Sequence, residues 1–160
     1  MNDESINRHI QAVAIQFISY RGDIRAMASF IAASMGDAAP DIELLTNYLR
    51  KPEIHEELLK WDVGIWRNTT GDWSLVSLAA PSSIEQMRYR LEHFPTSNTQ
   101  CRWCLQDAKR LAHIELIPEK DIRGEPVDNS WLHKFCMRPW LTMRNQVARA
   151  QTAPSKESLI

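Results

Sequence analysis

Four residues of the chain have the types and the spacing of a metal site. All three cysteines of the 160-residue sequence lie in two short stretches, CRWC at residues 101–104 and HKFC at residues 133–136. A tetrahedral zinc ion takes four nitrogen or sulfur ligands, and two ligands separated by two residues can bind one ion from a single tight turn. Cys101 with Cys104 and His133 with Cys136 therefore form two half-sites, which together predict a Cys3His zinc site.

The same cysteines have two other interpretations. A C-x2-C pair also serves redox chemistry, but a redox pair is expected at the N-terminus of a helix after a buried strand, and the polar stretch PTSNTQ precedes Cys101. Cysteine is also common as a small buried residue without a ligand. Within the metal interpretation, His113 competes with His133 for the fourth position, and the spacing from Cys136 favours His133.

The pattern of ligands favours a structural zinc over a catalytic one. A catalytic zinc keeps one position open for water, whereas four ligands are available here. The zinc deaminase signature places a histidine and a glutamate before P-C-x-x-C, but Thr99 and Gln100 precede Cys101. Over residues 101–150 the arrangement resembles treble-clef-type zinc modules, in which a knuckle and the first turn of a helix share the ion. That resemblance implies a small metal-closed module.

A basic segment follows the second half-site. Residues 1–98 carry nine basic and thirteen acidic side chains, whereas residues 99–151 carry nine basic and six acidic ones. Residues 129–151 contain no acid, and their four cations are Lys134, Arg138, Arg144 and Arg149. If one helix runs through Pro139, most of these cations share a face with Thr142 and Asn145. We expect this face to bind phosphate groups without reading bases; the alternative is a solvated helix face.

Hydrophobic periodicity predicts a mainly α-helical fold with one small β-hairpin. Helices are expected over residues 4–20, 23–35, 41–51 and 53–61. Runs rich in β-branched and aromatic residues on both sides of NTTGD predict a hairpin over 63–78, with a helix at its second half as the alternative. A further helix begins near Ser82.

The remaining elements define the predicted domains. We expect a linker over 95–100, a helix over 105–112, a strand over 113–118, a loop over 119–129 and a helical segment over 130–151, with Pro139 as a break or a fresh start. The predicted organisation is a helical domain over 1–94, the linker, a zinc-binding module with a basic C-terminal helix over 101–151, and a flexible tail over 152–160.

A second motif lies in the helical domain. The residues Ala32, Gly36, Ile42 and Leu45 follow a spacing that resembles the helix-turn-helix pattern of bacterial DNA-binding proteins. The resemblance implies a DNA-reading unit over 24–51, with the hairpin as a wing and Arg50 and Lys51 as phosphate contacts. Acidic residues at the start of the second helix favour the alternative, in which the two helices only pack.

These features predict a small, non-enzymatic regulator of bacterial or phage type that binds zinc and associates with nucleic acid, DNA being favoured. No phosphate-binding loop or nucleophile motif is present in the sequence. The layout is loosely similar to that of the C subunit of the flagellar master regulator, which also places a cysteine site after N-terminal helices. The alternative is a zinc-stabilised protein-interaction adaptor. The N-terminal stretch MNDESINRH lacks a signal-peptide layout, so we expect the protein in the cytoplasm without membrane association.

Overall fold

The computed structural model describes residues 3–17, 19–68, 70–94, 98–107 and 115–152. Within these ranges the chain forms six α-helices and five β-strands. The helices are α1 (Asp3–Phe17), α2 (Ile24–Met35), α3 (Ile42–Arg50), α4 (Pro52–Leu59), α5 (Ile84–His93) and α6 (Met137–Thr152). The strands are β1 (Ser19–Gly22), β2 (Val63–Arg67), β3 (Trp73–Ser77), β4 (Leu116–Lys120) and β5 (Pro126–His133). Among the helices of the described residues, none is long and apolar enough to cross a membrane.

The four N-terminal helices have local start and stop signals. Asp23 caps α2 by accepting a hydrogen bond from the Ala26 amide, and Gly36 ends it with φ of 63°, a left-handed conformation that glycine adopts without steric cost. Pro52 lies at the first turn of α4, where its missing amide hydrogen costs no helical bond. The predicted helices are confirmed, except that the first ends at Phe17 rather than at residue 20.

A three-stranded antiparallel sheet has the strand order β1-β3-β2. The predicted hairpin is confirmed as β2 and β3, and its helical alternative is wrong. Strand β1 is an addition to the predicted fold: Ser19 pairs with Val76 and Gly22 with Trp73. A four-residue strand whose partner lies more than fifty residues away has no local signal, because only the tertiary pairing stabilises it.

Successive side chains of a strand point to opposite faces of the sheet. In this sheet both faces carry apolar side chains, and each face packs against a separate hydrophobic core. Ile65 and Leu75 point into the helical core, which contains the buried residues of α1 to α4. Their neighbours Trp66 and Val76 point into a second core, which we call the cysteine core. Its further buried members are Leu78, Met87, Cys101, Trp103, Cys104, Leu132, Cys136, Trp140, Met143 and Val147. The cysteine core therefore draws on both sides of the predicted 95–100 linker.

The region from Leu116 onward differs from its predicted form. Strands β4 and β5 pair antiparallel from Leu116 opposite His133 to Lys120 opposite Pro126, so the predicted loop over 119–129 is wrong in its main part. The predicted helix over 130–151 is also wrong in its first part, since residues 130–133 belong to β5 and α6 begins at Met137. Pro139 lies in the first turn of α6, where proline breaks no helical hydrogen bond.

Some predicted segments lie partly or wholly outside the described residues. These are residues 95–97 of the linker, 108–112 of the predicted helix, the start of the predicted strand at 113–114, and 153–160 of the tail. Residues 105–107, where that helix was expected to begin, are not helical: they follow the turn at 102–104, and Asp107 forms a single β-bridge with Gln100.

A substitution at Gly64 tests how closely the side of the sheet that faces the cysteine core is packed. A Cβ atom at this position would lie 2.5 Å from the buried Trp66 ring, so we expect Gly64→Ala to lower the free energy of unfolding by about 1–3 kcal/mol, as overpacking does. Urea denaturation measures the change. In a Trp66→Phe background the smaller ring should reduce the cost of the added methyl group.

Gly22→Ala is the matched control, because its nearest neighbour is the end of the Tyr20 side chain on the edge strand β1. We expect a much smaller change there. Equal costs at Gly64 and Gly22 would contradict the close packing of Trp66.

Candidate metal centre

A tight turn over residues 101–105 positions the first two cysteines. The Leu105 amide donates to the Cys101 carbonyl at 2.9 Å, and the Cys101 amide donates to the Gln106 carbonyl at 2.9 Å. The Trp103 amide lies 3.4 Å from the Cys101 sulfur and donates to it. Leu105 has φ of 63°, a left-handed conformation that costs a leucine about 1–2 kcal/mol. The turn directs both cysteine sulfurs inward. Its last residue, Leu105, has a backbone conformation that a glycine would adopt more easily.

The end of β5 and the approach to α6 position the other two residues. His133 is the last residue of β5, and Cys136 lies in a single 3-10 turn, Lys134–Cys136, that leads into α6. Nε2 of His133 lies 3.2 Å from the Asp107 carbonyl oxygen, so an Nε2–H donor leaves Nδ1 as the nitrogen that faces the sulfurs. A backbone carbonyl in this role commonly fixes the orientation of a metal-binding histidine.

The four side chains converge as a tetrahedral site requires. The ligand atoms of Cys101, Cys104, His133 and Cys136, the Cys3His cluster, all lie within 4.8 Å of one another. Nδ1 of His133 is 3.3 Å from the Cys104 sulfur and 4.0 Å from the Cys136 sulfur. Ordinary zinc bond lengths would set these separations at about 3.6 Å. The four residues thus fit a metal ion.

The cluster is fully buried, which changes the acidity of its thiols. All four residues are 0 % exposed. Burial raises the pKa of the Cys104 and Cys136 thiols well above their ordinary value. Burial acts in the same direction at Cys101, but hydrogen bonds from the other cluster members together outweigh it and hold the Cys101 pKa well below its ordinary value. No disulfide joins the cysteines.

Neighbouring side chains attach the turn to the rest of the fold. The Trp103 indole donates to the Ser77 carbonyl at the end of β3, and the Trp66 ring lies 5.1 Å from the His133 ring. Arg90 of α5 donates to the Trp103 carbonyl. Burial lowers the pKa of Arg90 to about 10, and charge on the three sulfurs acts in the opposite direction. No sequence pattern indicated Arg90, which lies eleven residues before Cys101 on a separate helix.

The structure bears on two of the alternatives from sequence. His113 lies outside the described residues, whereas His133 lies within the cluster. The redox interpretation expected the C-x2-C pair at the start of a helix, and residues 98–107 contain no helix.

Comparisons with known protein families, with curated proteins and with solved structures gave no match. The conclusions about this centre therefore rest on its own geometry.

The basic residues predicted to bind nucleic acid fall into two groups. Lys134 and Arg149 are exposed, as are Arg50 and Lys51 at the end of α3. Arg138 is also exposed but pairs with Asp62 and donates to the Leu78 carbonyl, whereas the partly buried Arg144 pairs with Glu119. Trp140 is 0 % exposed, so it packs and does not offer a ring for base stacking.

Arg144 belongs to a buried polar network that the sequence did not indicate. Glu119 of β4 is 2 % exposed and accepts hydrogen bonds from the Ser130 hydroxyl, the Trp140 indole and the Arg144 guanidinium. Arg102 lies over the Trp140 ring, 4.3 Å from its centroid. Because a buried carboxylate needs a compensating charge, Arg144 stabilises the contact between α6 and β4.

Replacing Arg144 tests this role. Arg144→Met leaves the buried Glu119 carboxylate without its ion pair, and we expect the free energy of unfolding to fall by about 3 kcal/mol. Arg149→Met, an exposed position on the same helix, should change it by less than about 0.5 kcal/mol. Chemical denaturation measures both, and Glu119→Gln combined with Arg144→Met should recover part of the loss. Similar small effects at both arginines would contradict the role.

Proposed function

We propose that the Cys3His cluster holds one Zn²⁺ ion as a structural element. The convergence of four buried ligand atoms within 4.8 Å carries the proposal. Three thiolates and one imidazole in tetrahedral arrangement are a ligand set typical of structural zinc. The complete burial of all four residues supports a structural role, because a catalytic zinc needs a position open to water and substrate.

Bound zinc would join two parts of the chain that lie far apart in sequence. The ion would connect the 101–105 turn, which Trp103 anchors to β3, to the end of β5 and the start of α6. Metal binding of this kind contributes directly to folding, with apparent values of about 10–16 kcal/mol for small zinc modules. That contribution is comparable with the whole stability of an ordinary domain.

Metal analysis tests the zinc proposal. We expect purified protein to contain one zinc per chain and to lose it in Cys101→Ala, Cys104→Ala, His133→Ala and Cys136→Ala. His93→Ala is the control, because that side chain is exposed on α5, where it contacts Tyr89. Chelation should make all three thiols reactive towards a thiol reagent, since the cysteines are buried in the folded protein.

Two results distinguish an error in the proposed metal site from an error in the choice of its fourth ligand. Stoichiometric zinc in Cys101→Ala would overturn the proposal. Zinc retained in His133→Ala and lost in His113→Ala would replace the fourth ligand and keep the site.

We further propose that the protein is a nucleic-acid-associated regulator of winged helix-turn-helix type. The helices α2 and α3, joined through Gly36, and the β2-β3 hairpin that follows α4 support it, because they supply the two helices and the hairpin that such a unit requires. Gly36 ends α2 in the left-handed conformation expected of the turn. The cations available for phosphate are Arg50, Lys51, Lys134 and Arg149.

A second candidate, a zinc-stabilised adaptor, draws support from the acidic surface of the helices. A groove between α1 and α4 is lined by Asp3, Glu4, Glu53, Glu57 and Trp61. Carboxylates repel a DNA backbone and suit a basic protein segment. The ion pairs of Arg138 and Arg144 also reduce the charge that α6 offers to a polyanion.

Salt-dependent binding distinguishes the two candidates. A regulator should bind labelled duplex DNA at about 50 mM salt, with log K falling by about 0.9 per log unit of salt for each phosphate contact. Fluorescence anisotropy measures this slope. Lys134→Met with Arg149→Met, and Arg50→Met with Lys51→Met, should each reduce it by up to about two contacts.

The control is Arg8→Met with Lys60→Met, which removes the same charge from two exposed side chains on α1 and beside α4. Equal losses in the control would indicate a net-charge effect without a defined surface. Failure of duplex DNA and single-stranded RNA to bind at about 50 mM salt, where phosphate contacts are strongest, would overturn the regulator and leave the adaptor.

A further inference from the structure

Among the described residues, Arg90 is a buried cation that has no carboxylate partner. The residue is 6 % exposed, and none of the ion pairs formed within the described part of the chain includes it. Its guanidinium lies over two aromatic rings, 4.1 Å from the Phe94 centroid and 4.5 Å from the Trp103 centroid. Its Nε atom is buried without a hydrogen-bond partner in the described ranges. A buried charge in this state is costly unless an opposite charge is near.

The opposite charge available to Arg90 lies in the Cys3His cluster. Arg90 donates to the carbonyl of Trp103, the residue directly before Cys104, and the sulfurs of all three cysteines act on it electrostatically. Three thiolates, a neutral imidazole and a divalent ion leave one net negative charge on the loaded cluster. That charge would be enclosed among residues that are 0 % exposed.

We propose that Arg90 is the internal counter-ion of the metal-loaded Cys3His cluster. The inference rests on the proposed zinc site and assigns to it a residue outside the ligand set. One guanidinium cation matches one net anionic charge, and burial keeps the interaction from being screened by salt. The rings of Phe94 and Trp103 hold the guanidinium in place. Arg90 is a positioning and charge-balancing residue, and it does not bind the ion itself.

The proposal requires charge at position 90 in addition to packing. Arg90→Met removes the charge and keeps much of the length. Arg90→Gln removes the charge and keeps a donor for the Trp103 carbonyl, while Arg90→Lys keeps the charge and loses the planar stacking. Competition with a chromophoric chelator at fixed pH measures zinc affinity. We expect the Met and Gln variants to bind zinc about 10–100-fold more weakly, as losses around a metal's ligands do, and Lys to stay much closer to wild type.

A spectroscopic readout separates charge balance from structural support. Cobalt(II) fills tetrahedral sulfur–nitrogen sites and gives charge-transfer bands from thiolate to metal. Removing a nearby cation raises the energy of the thiolate electrons, so these bands should shift to lower energy in Arg90→Met and Arg90→Gln and remain in place in Arg90→Lys. Arg88→Met, an exposed charge on the same helix, is the matched control and should change neither affinity nor spectrum.

The outcomes distinguish this inference from the zinc proposal. A wild-type protein that binds no metal overturns both. Stoichiometric zinc in the wild type, with Arg90→Gln equal to it in affinity and cobalt spectrum, overturns the counter-ion role alone. A loss of affinity in Lys as large as that in Met and Gln, without a spectral shift, assigns Arg90 to packing and also overturns the role. If Arg90→Met fails to fold, the comparison of Gln with Lys decides the question.

Discussion

The three-stranded sheet carries apolar side chains on both faces, and each face has to be covered. Alternation along β2 and β3 sends Ile65 and Leu75 to one side and Trp66 and Val76 to the other. Helices α1 to α4 cover the first side with a conventional aliphatic core. The second side is covered by α5, α6 and the cysteine turn, whose Trp103 bonds directly to the end of β3. The rest of the molecule is arranged around this two-sided requirement.

The elements that cover the second side of the sheet are short and far apart in the sequence, so few local interactions hold them together. A short turn, a two-stranded sheet and the two helices α5 and α6 must meet, and each contact closes a long loop of chain. The four ligands of the Cys3His cluster lie where these segments converge, between the 101–105 turn and the β5–α6 junction. A zinc ion there would join the 101–105 turn to the β5–α6 junction through four bonds. A purely aliphatic core of the same size would leave the turn held mainly by Trp103 and by its own backbone hydrogen bonds.

Local signals were sufficient to group the four residues of the Cys3His cluster and insufficient for much of the fold around them. Cys101, Cys104, His133 and Cys136 could be grouped because the two residues of each half-site are three positions apart. Strand β4 was predicted in part, since the strand expected over 113–118 overlaps it at residues 116–118, whereas β1 and β5 could not be recognised because their pairing depends on partners elsewhere in the chain. The helix predicted over 130–151 therefore began too early, because residues 130–133 belong to β5. Leu105 occupies a left-handed position without the glycine that would have marked the turn.

Folding pairs some of the cations that look unpaired in the sequence with carboxylates from other segments. In the sequence, four cations and no acid over residues 129–151 indicate a surface for a polyanion. In the fold, Arg144 neutralises a carboxylate from β4 and Arg138 pairs with Asp62 from the loop before β2. Arg90, which no charge run includes, lies buried and donates to the carbonyl of Trp103, the residue before Cys104. Because a low-dielectric interior requires opposite charges to be matched closely, part of the basic excess of the C-terminal half stabilises the cysteine core. Among the four cations of residues 129–151, Lys134 and Arg149 form no ion pair within the described residues, whereas the exposed Arg138 is already paired with Asp62.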